Sequence, residues 1–363
     1  MKKIFLYLML LILGIQAKSQ YLAAFNDYQN HFWAFEAGQF TQLEHLEIQE
    51  YQVGGILIAY KDNDSNLKVY QYGQVQSLII GDPVVFEATD YLLGYSMYEQ
   101  LNVYDNGKDI NLSNECDGYV IQDSLIGWHN RISQNIQVYY NGKIFTLEDG
   151  LIYNPLEKFR LGDNIIAYVH SSTKNFNVFY LGKIITLDDF VEQMEFKAGR
   201  DIVAYHDIID QTLKAFWKGT EYELETFPPK SFQVGDESMA WVDNLGHLKY
   251  FDGHEVVELS TYEPAFYEVV DRVIVFEEQG FFKTYCGGQV REIERYIPNI
   301  YIIDFNTIAY LDQTSFIKTF FGCESSTIFY DRVQQIDLIR DLIIFKKNIN
   351  TVNIYFNGEI YEH

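Results

Sequence analysis

The sequence predicts an all-β protein built from about ten copies of one small antiparallel unit, and three observations carry that prediction. An aromatic residue, mostly preceded by Ala or Gly and apolar positions, returns about every 35 residues: Phe25, Tyr60, Tyr95, Trp128, Tyr168, Tyr205, Trp241, Phe276, Tyr310 and Phe345. A glycine follows a second β-run in every unit, at Gly38, Gly73, Gly107, Gly142, Gly182, Gly219, Gly253, Gly288, Gly322 and Gly358. The 29 Tyr and 27 Phe exceed ordinary usage and suit many short strands with half-buried faces.

Each unit reads as four strands, A to D. Short apolar runs such as Phe159-Arg160-Leu161, Phe232-Gln233-Val234 and Ile300-Tyr301-Ile302 supply strand A. An Asp then recurs at Asp90, Asp123, Asp163, Asp201, Asp236, Asp271, Asp304 and Asp341, where a carboxylate can bond its own backbone two residues on and tighten the A–B turn. Strand B ends at the aromatic anchor, and variable polar stretches such as 61–66, 171–175 and 243–246 form the B–C loop. Asn106, Asn141, Asp252 and Asn357 stand before the C–D glycine, and such a pair favours a tight hairpin because both central residues of a type I′ turn need positive φ. Strand D is closed by an apolar residue five positions on, as at Leu43, Leu78, Leu147 and Leu187. The longer D–A connection often holds proline (Pro155, Pro228, Pro229, Pro264, Pro298), which cannot donate to a ladder.

A four-stranded meander of this length, repeated through proline-bearing crossovers, resembles a β-propeller blade. The resemblance is to the architecture over residues 20–363, with no specific family matched, and it implies no catalytic or binding residues. It implies one β-propeller of about ten blades, with two five-bladed propellers in tandem as the alternative, although propellers typically have about 4–8 blades. Successive glycines are 35, 34, 35, 40, 37, 34, 35, 34 and 36 residues apart, so only the middle of the array is stretched. No flexible linker falls there, which favours one continuous domain; an open arc is the further alternative, because the first unit has no evident strand A before Tyr21.

Residues 1–19 read as a secretory signal peptide: Lys2 and Lys3, an apolar stretch over 4–15, then the small-x-small pattern Ala17-Lys18-Ser19. The stretch is shorter than the roughly 20 residues of a membrane span, so an exported chain without membrane insertion is expected, in the periplasm or at the cell surface. Removal of the leader leaves 51 acidic residues against 24 basic ones, a net charge of −27. Such acidity excludes nucleic acid as a partner, since that binding neutralises phosphates with Lys and Arg. Free, incidental thiols are the expectation for Cys116, Cys286 and Cys323, with a single 286–323 bridge as the alternative.

Features present in every unit read as packing, so departures from the repeat are the candidate binding residues. His129 follows Trp128, His170 lies two past Tyr168, and His206 precedes Asp207, giving three consecutive units with imidazole near one rim. Their register differs by one residue, which sends alternate strand side chains to opposite faces and argues against a shared metal site. Tyr153 lies in the enlarged segment 149–160, which could reach over the ring. Asp62 to Asn66 alternates oxygen ligands like a calcium loop, but Leu67 replaces the required glycine, and a polar bend is the simpler reading. No catalytic, cofactor or metal residue is assigned. The expected function is a non-enzymatic binding scaffold for a protein or glycan partner in the cell envelope; a glycan-active hydrolase or lyase is the alternative.

Overall fold

The computed structural model describes residues 21–81, 84–151, 153–154, 156–191, 194–207 and 211–363, so the leader expected at 1–19 lies outside the described residues. Ten antiparallel sheets follow one another along the chain, each a meander with its strands in sequence order. Blade 5 is representative, with strands Arg160–Gly162, Ile165–Val169, Phe176–Tyr180 and Lys183–Asp188. Blade 1 has three strands among the described residues, Leu22–Asn26, Phe32–Glu36 and Gln39–Glu44, which are B, C and D. The Asn-Gly turns adopt the expected geometry: φ is 48° and 80° at Asn106 and Gly107, and 47° and 73° at Asn141 and Gly142.

Blades are joined by burial of the aromatic anchors. Every anchor is at most 5% exposed, and each lies in a different apolar cluster, one per blade interface. Tyr60 packs on Phe32 and Ala34 of blade 1, Tyr205 on Val178 of blade 5, and Trp241 on Ala215 of blade 6. Alternation along strand B explains this, since the anchor points to the preceding blade while its neighbours in sequence point to the following one. The tenth cluster closes the ring: Ala23, Phe25 and Phe35 of blade 1 share it with Leu342, Val352, Ile354 and Phe356 of blade 10. The His363 ring also lies 4.2 Å from that of Trp33 and 5.3 Å from that of Phe25. One ring of ten blades therefore replaces both the tandem pair and the open arc.

Cys286 and Cys323 form a disulfide, which corrects the expectation of free thiols there; Cys116 is unpaired and buried. The bond forms because adjacent blades stack their C–D turns in register, bringing the two Cα atoms to 5.6 Å, inside the range a disulfide spans.

Strand A is innermost, and its last residues crowd the axis. A Cβ added at Gly162 would lie 2.0 Å from the Gly199 carbonyl oxygen, one at Gly199 would lie 1.9 Å from that of Gly235, and one at Gly235 would lie 2.2 Å from that of Asp271. Glycine is required at these steps because backbone meets backbone. Gly199→Ala should therefore lower stability by about 3 kcal/mol or more through overpacking. Gly127→Ala, whose new Cβ would have its nearest neighbour at 3.5 Å, should cost under about 1 kcal/mol. Urea denaturation of the two variants checks the contrast.

Candidate functional site

An antiparallel meander places A–B and C–D turns on one face of the disc and B–C loops with D–A connections on the other. The two faces differ in chemistry. At the A–B end the recurring aspartates do not close their own turns as expected; several accept hydrogen bonds from a neighbouring blade. Asp90 N–H donates to Asp123 Oδ1, Phe305 N–H to Asp271 Oδ2, and Arg340 N–H to Asp304 Oδ2, at 3.0, 2.7 and 2.7 Å. Arg200 of blade 6 reaches Asp163 at 2.5 Å, Asp123 at 3.0 Å and Asp236 at 3.6 Å, so one guanidinium ties blades 4 to 7. Arg340 of blade 10 crosses past Gly55 to Asp90 of blade 3 at 3.1 Å. Burial raises the carboxyls here, and neighbouring carboxylates add to it: Asp236 and Asp304 are each raised to about 6, and Asp90, Asp123 and Asp271 are raised as well. This face is an internally paired polar plug.

The opposite face carries the residues singled out from the repeat. His129 is buried, with Nε2 3.2 Å from the Leu151 carbonyl oxygen and Nδ1 3.5 Å from the Asp117 carboxylate. His170 accepts at Nδ1 from Ser172 N–H and Thr173 N–H and so closes the blade 5 B–C turn. His206 sits in strand B of blade 6, opposite Leu213, and its Nε2 is buried without a hydrogen-bond partner among the described residues. Asp207 is buried at the end of that strand. Among the described residues no group of three or more His, Cys, Asp or Glu is placed to hold a metal ion.

Tyr153 lines a cleft of about 780 Å³ on this face, between the D–A connections on either side of blade 5. Its walls also include the single-turn helix Leu156–Lys158, strand A residue Arg160, the B–C residues Ser171 and Lys174, and Phe196 of blade 6. The 40- and 37-residue glycine spacings pointed to this region; the basic residues gathered there were not singled out from the sequence.

Asp62, read as a polar bend, accepts at Oδ1 from Asp64 N–H and Asn66 N–H, while Lys68 Nζ lies 2.8 Å from Oδ2. Burial opposes its charge, but Lys68 and Asn66 hold the carboxyl down to about 2. Asp27, Asp243 and Asp312 cap B–C loops in the same manner, so these aspartates organise turns.

A family model described as a 10-bladed beta propeller domain matches residues 16–361. Similar solved structures include the computationally designed Ika8 protein, 13% identical over 93% of this chain and 99% of that one, with a TM-score of 0.35. Prp20p from Saccharomyces cerevisiae is 10% identical over 57% of this chain and 72% of its own, with a TM-score of 0.31. Kluyveromyces lactis Hsv2p is 10% identical over 75% of this chain and 92% of its own, with a TM-score of 0.33. Likeness at this level carries nothing about ligand or partner. No curated protein matches the chain.

The raised carboxyls at the axis set a sign for pH dependence. Their unfolded value is 3.8, so between about pH 4 and 6 the folded ring holds protons that the unfolded chain releases. Stability should therefore fall as pH rises through that window, by an amount on the order of 2 kcal/mol per group. Asp62, held down to about 2, titrates below it. Asp304→Asn, which can still accept from Arg340 N–H, should flatten the decline in urea midpoints measured from pH 4 to pH 7.

Proposed function

The chain belongs to the 10-bladed beta propeller domain family, and from that premise we propose that it is a non-enzymatic binding scaffold, exported to the periplasm or cell surface. It presents its B–C and D–A face to a protein or glycan partner in the cell envelope. One observation carries this reading. Seven D–A connections each expose a large apolar side chain: Leu46, Ile80, Tyr153, Phe190, Phe227, Tyr262 and Tyr330, between 55% and 87% exposed. Isolated exposed apolar residues are ordinary on a protein surface, but here topology puts them all on one face. On the opposite face Arg200 and Arg340 pair with Asp90, Asp123, Asp163 and Asp236 around the axis, and Tyr72, Leu181 and Phe321 are the comparably exposed large apolar residues of its turns. A partner seated on the apolar positions removes them from water, and the acidic remainder keeps the chain soluble.

Phe190, Phe227 and Tyr262 occupy three successive D–A connections and form the test patch. Affinity capture of the mature chain from its own cell envelope should retain a reproducible partner. The triple serine variant should lose at least about tenfold of that retention, as expected when residues central to an interface are truncated, with an unchanged thermal midpoint. Undiminished capture by the variant, or empty capture together with turnover of envelope glycan by the purified chain, would overturn the proposal.

A further inference from the structure

The cleft beside blade 5 concentrates positive charge in a chain that has 27 basic residues against 51 acidic ones. Lys158, Arg160 and Lys174 all line it and are exposed. Among the described residues none of the three has a carboxylate within ion-pair distance, although most lysines and arginines elsewhere are so paired. Aromatic faces hold two of them instead: Lys158 Nζ is 5.9 Å from the centre of the Tyr153 ring, and Arg160 Cζ is 5.8 Å from that of Phe196. Arg160 also donates to the Glu157 and Phe159 carbonyl oxygens, which fixes its guanidinium at the cleft wall. Unpaired cations in a strongly acidic molecule generate a local potential that favours an anion.

The other walls narrow the class of anion. Glu157 and Glu195 also line the cleft, and they would repel a bare inorganic anion while accepting hydrogen bonds from hydroxyl groups. Ser171 both donates and accepts, and Tyr153, Phe196, Val169 and Met194 supply apolar surface. A ligand that satisfies all of these groups carries a carboxylate, several hydroxyls and an apolar ring face. We propose that this cleft is a binding subsite for an acidic sugar, in which Lys158, Arg160 and Lys174 take the carboxylate while Tyr153 and Phe196 take the ring face. Its volume suits a small ligand or a short stretch of a chain. The proposal rests on the scaffold reading and deepens its glycan branch.

Calorimetric titration with a galacturonate trisaccharide tests it, alongside a neutral galactose trisaccharide and a short polyglutamate peptide. The acidic trisaccharide should bind more tightly than either control, and more weakly as salt is raised. Lys158→Ala with Lys174→Ala should weaken it by about tenfold or more, and Tyr153→Ala by about threefold to tenfold. All three side chains are exposed, so the thermal midpoint should hold and loss of binding would not be a folding defect. Equal binding of the neutral sugar, tighter binding of the peptide, no heat at millimolar trisaccharide, or full affinity in the double-lysine variant would each overturn the proposal. None of these bears on the scaffold reading, whose own test uses Phe190, Phe227 and Tyr262.

Discussion

Burial of one aromatic side chain between each pair of blades is the constraint on which the rest of the molecule depends. A three- or four-stranded sheet of this size has two faces and no core of its own, so it is stable only when both faces are covered. Each anchor contributes about 1.5–3 kcal/mol by leaving water, and the ten interfaces are equivalent in kind. Closure follows from the same requirement. An open array would leave Phe25 and Phe356 at exposed ends, whereas the ring buries both in one cluster. That shared cluster also accounts for the seating of the C-terminal His363 against blade 1.

Burying Tyr and Trp creates a second problem, because their O–H and N–H groups must find acceptors. Three interfaces solve it identically. Tyr60, Trp241 and Tyr310 donate to Glu44, Glu225 and Glu294 of the preceding blade, and Lys68, Lys249 and Lys318 neutralise those same carboxylates. Relative to the anchor, the glutamate stands sixteen residues before, a capping aspartate two after, and the lysine eight after. The other seven units depart from this set, and those with a polar anchor meet the need differently or leave it unmet. Sixteen residues before Trp128 stands Leu112, and the Trp128 N–H is buried without a partner among the described residues. Tyr168 turns to the Leu147 carbonyl oxygen, and Tyr205 to Glu221 of its own blade.

These particulars explain what was legible in the sequence. The anchors, the turn glycines and the blade count could be read directly, because each is a local pattern repeated at one period. The glutamate–lysine set went unread, since it occurs in only three units and joins residues on different blades. The axial aspartates were seen but assigned to their own turns. Their partners are set by ring closure, and no local rule brings Arg200 to Asp123 across 77 residues or Arg340 to Asp90. The 286–323 disulfide depends in the same way on how neighbouring turns stack. The histidine series marked the right region of the ring, but His129 and His170 are bonded to nearby chain, and of the residues singled out there Tyr153 is the one that lines the cleft.

The two faces of the disc therefore have different freedom to change. At the A–B end, backbones approach so closely that glycine is required, and two arginines tie non-adjacent blades together. A substitution there disturbs several blades at once. At the other end several D–A connections cross the rim and seat one or more apolar residues in an anchor cluster, as Ile48, Val84, Leu156, Val191 and Val333 do, while the exposed positions between can vary without disturbing the ring. The longest such connection, with the basic residues gathered beside it, lies in the middle of the array. Within that connection Leu151, Leu156 and Phe159 pack with the anchor Tyr168 while Tyr153 and Lys158 stay exposed at the cleft, so one segment both secures the ring and shapes a distinctive surface.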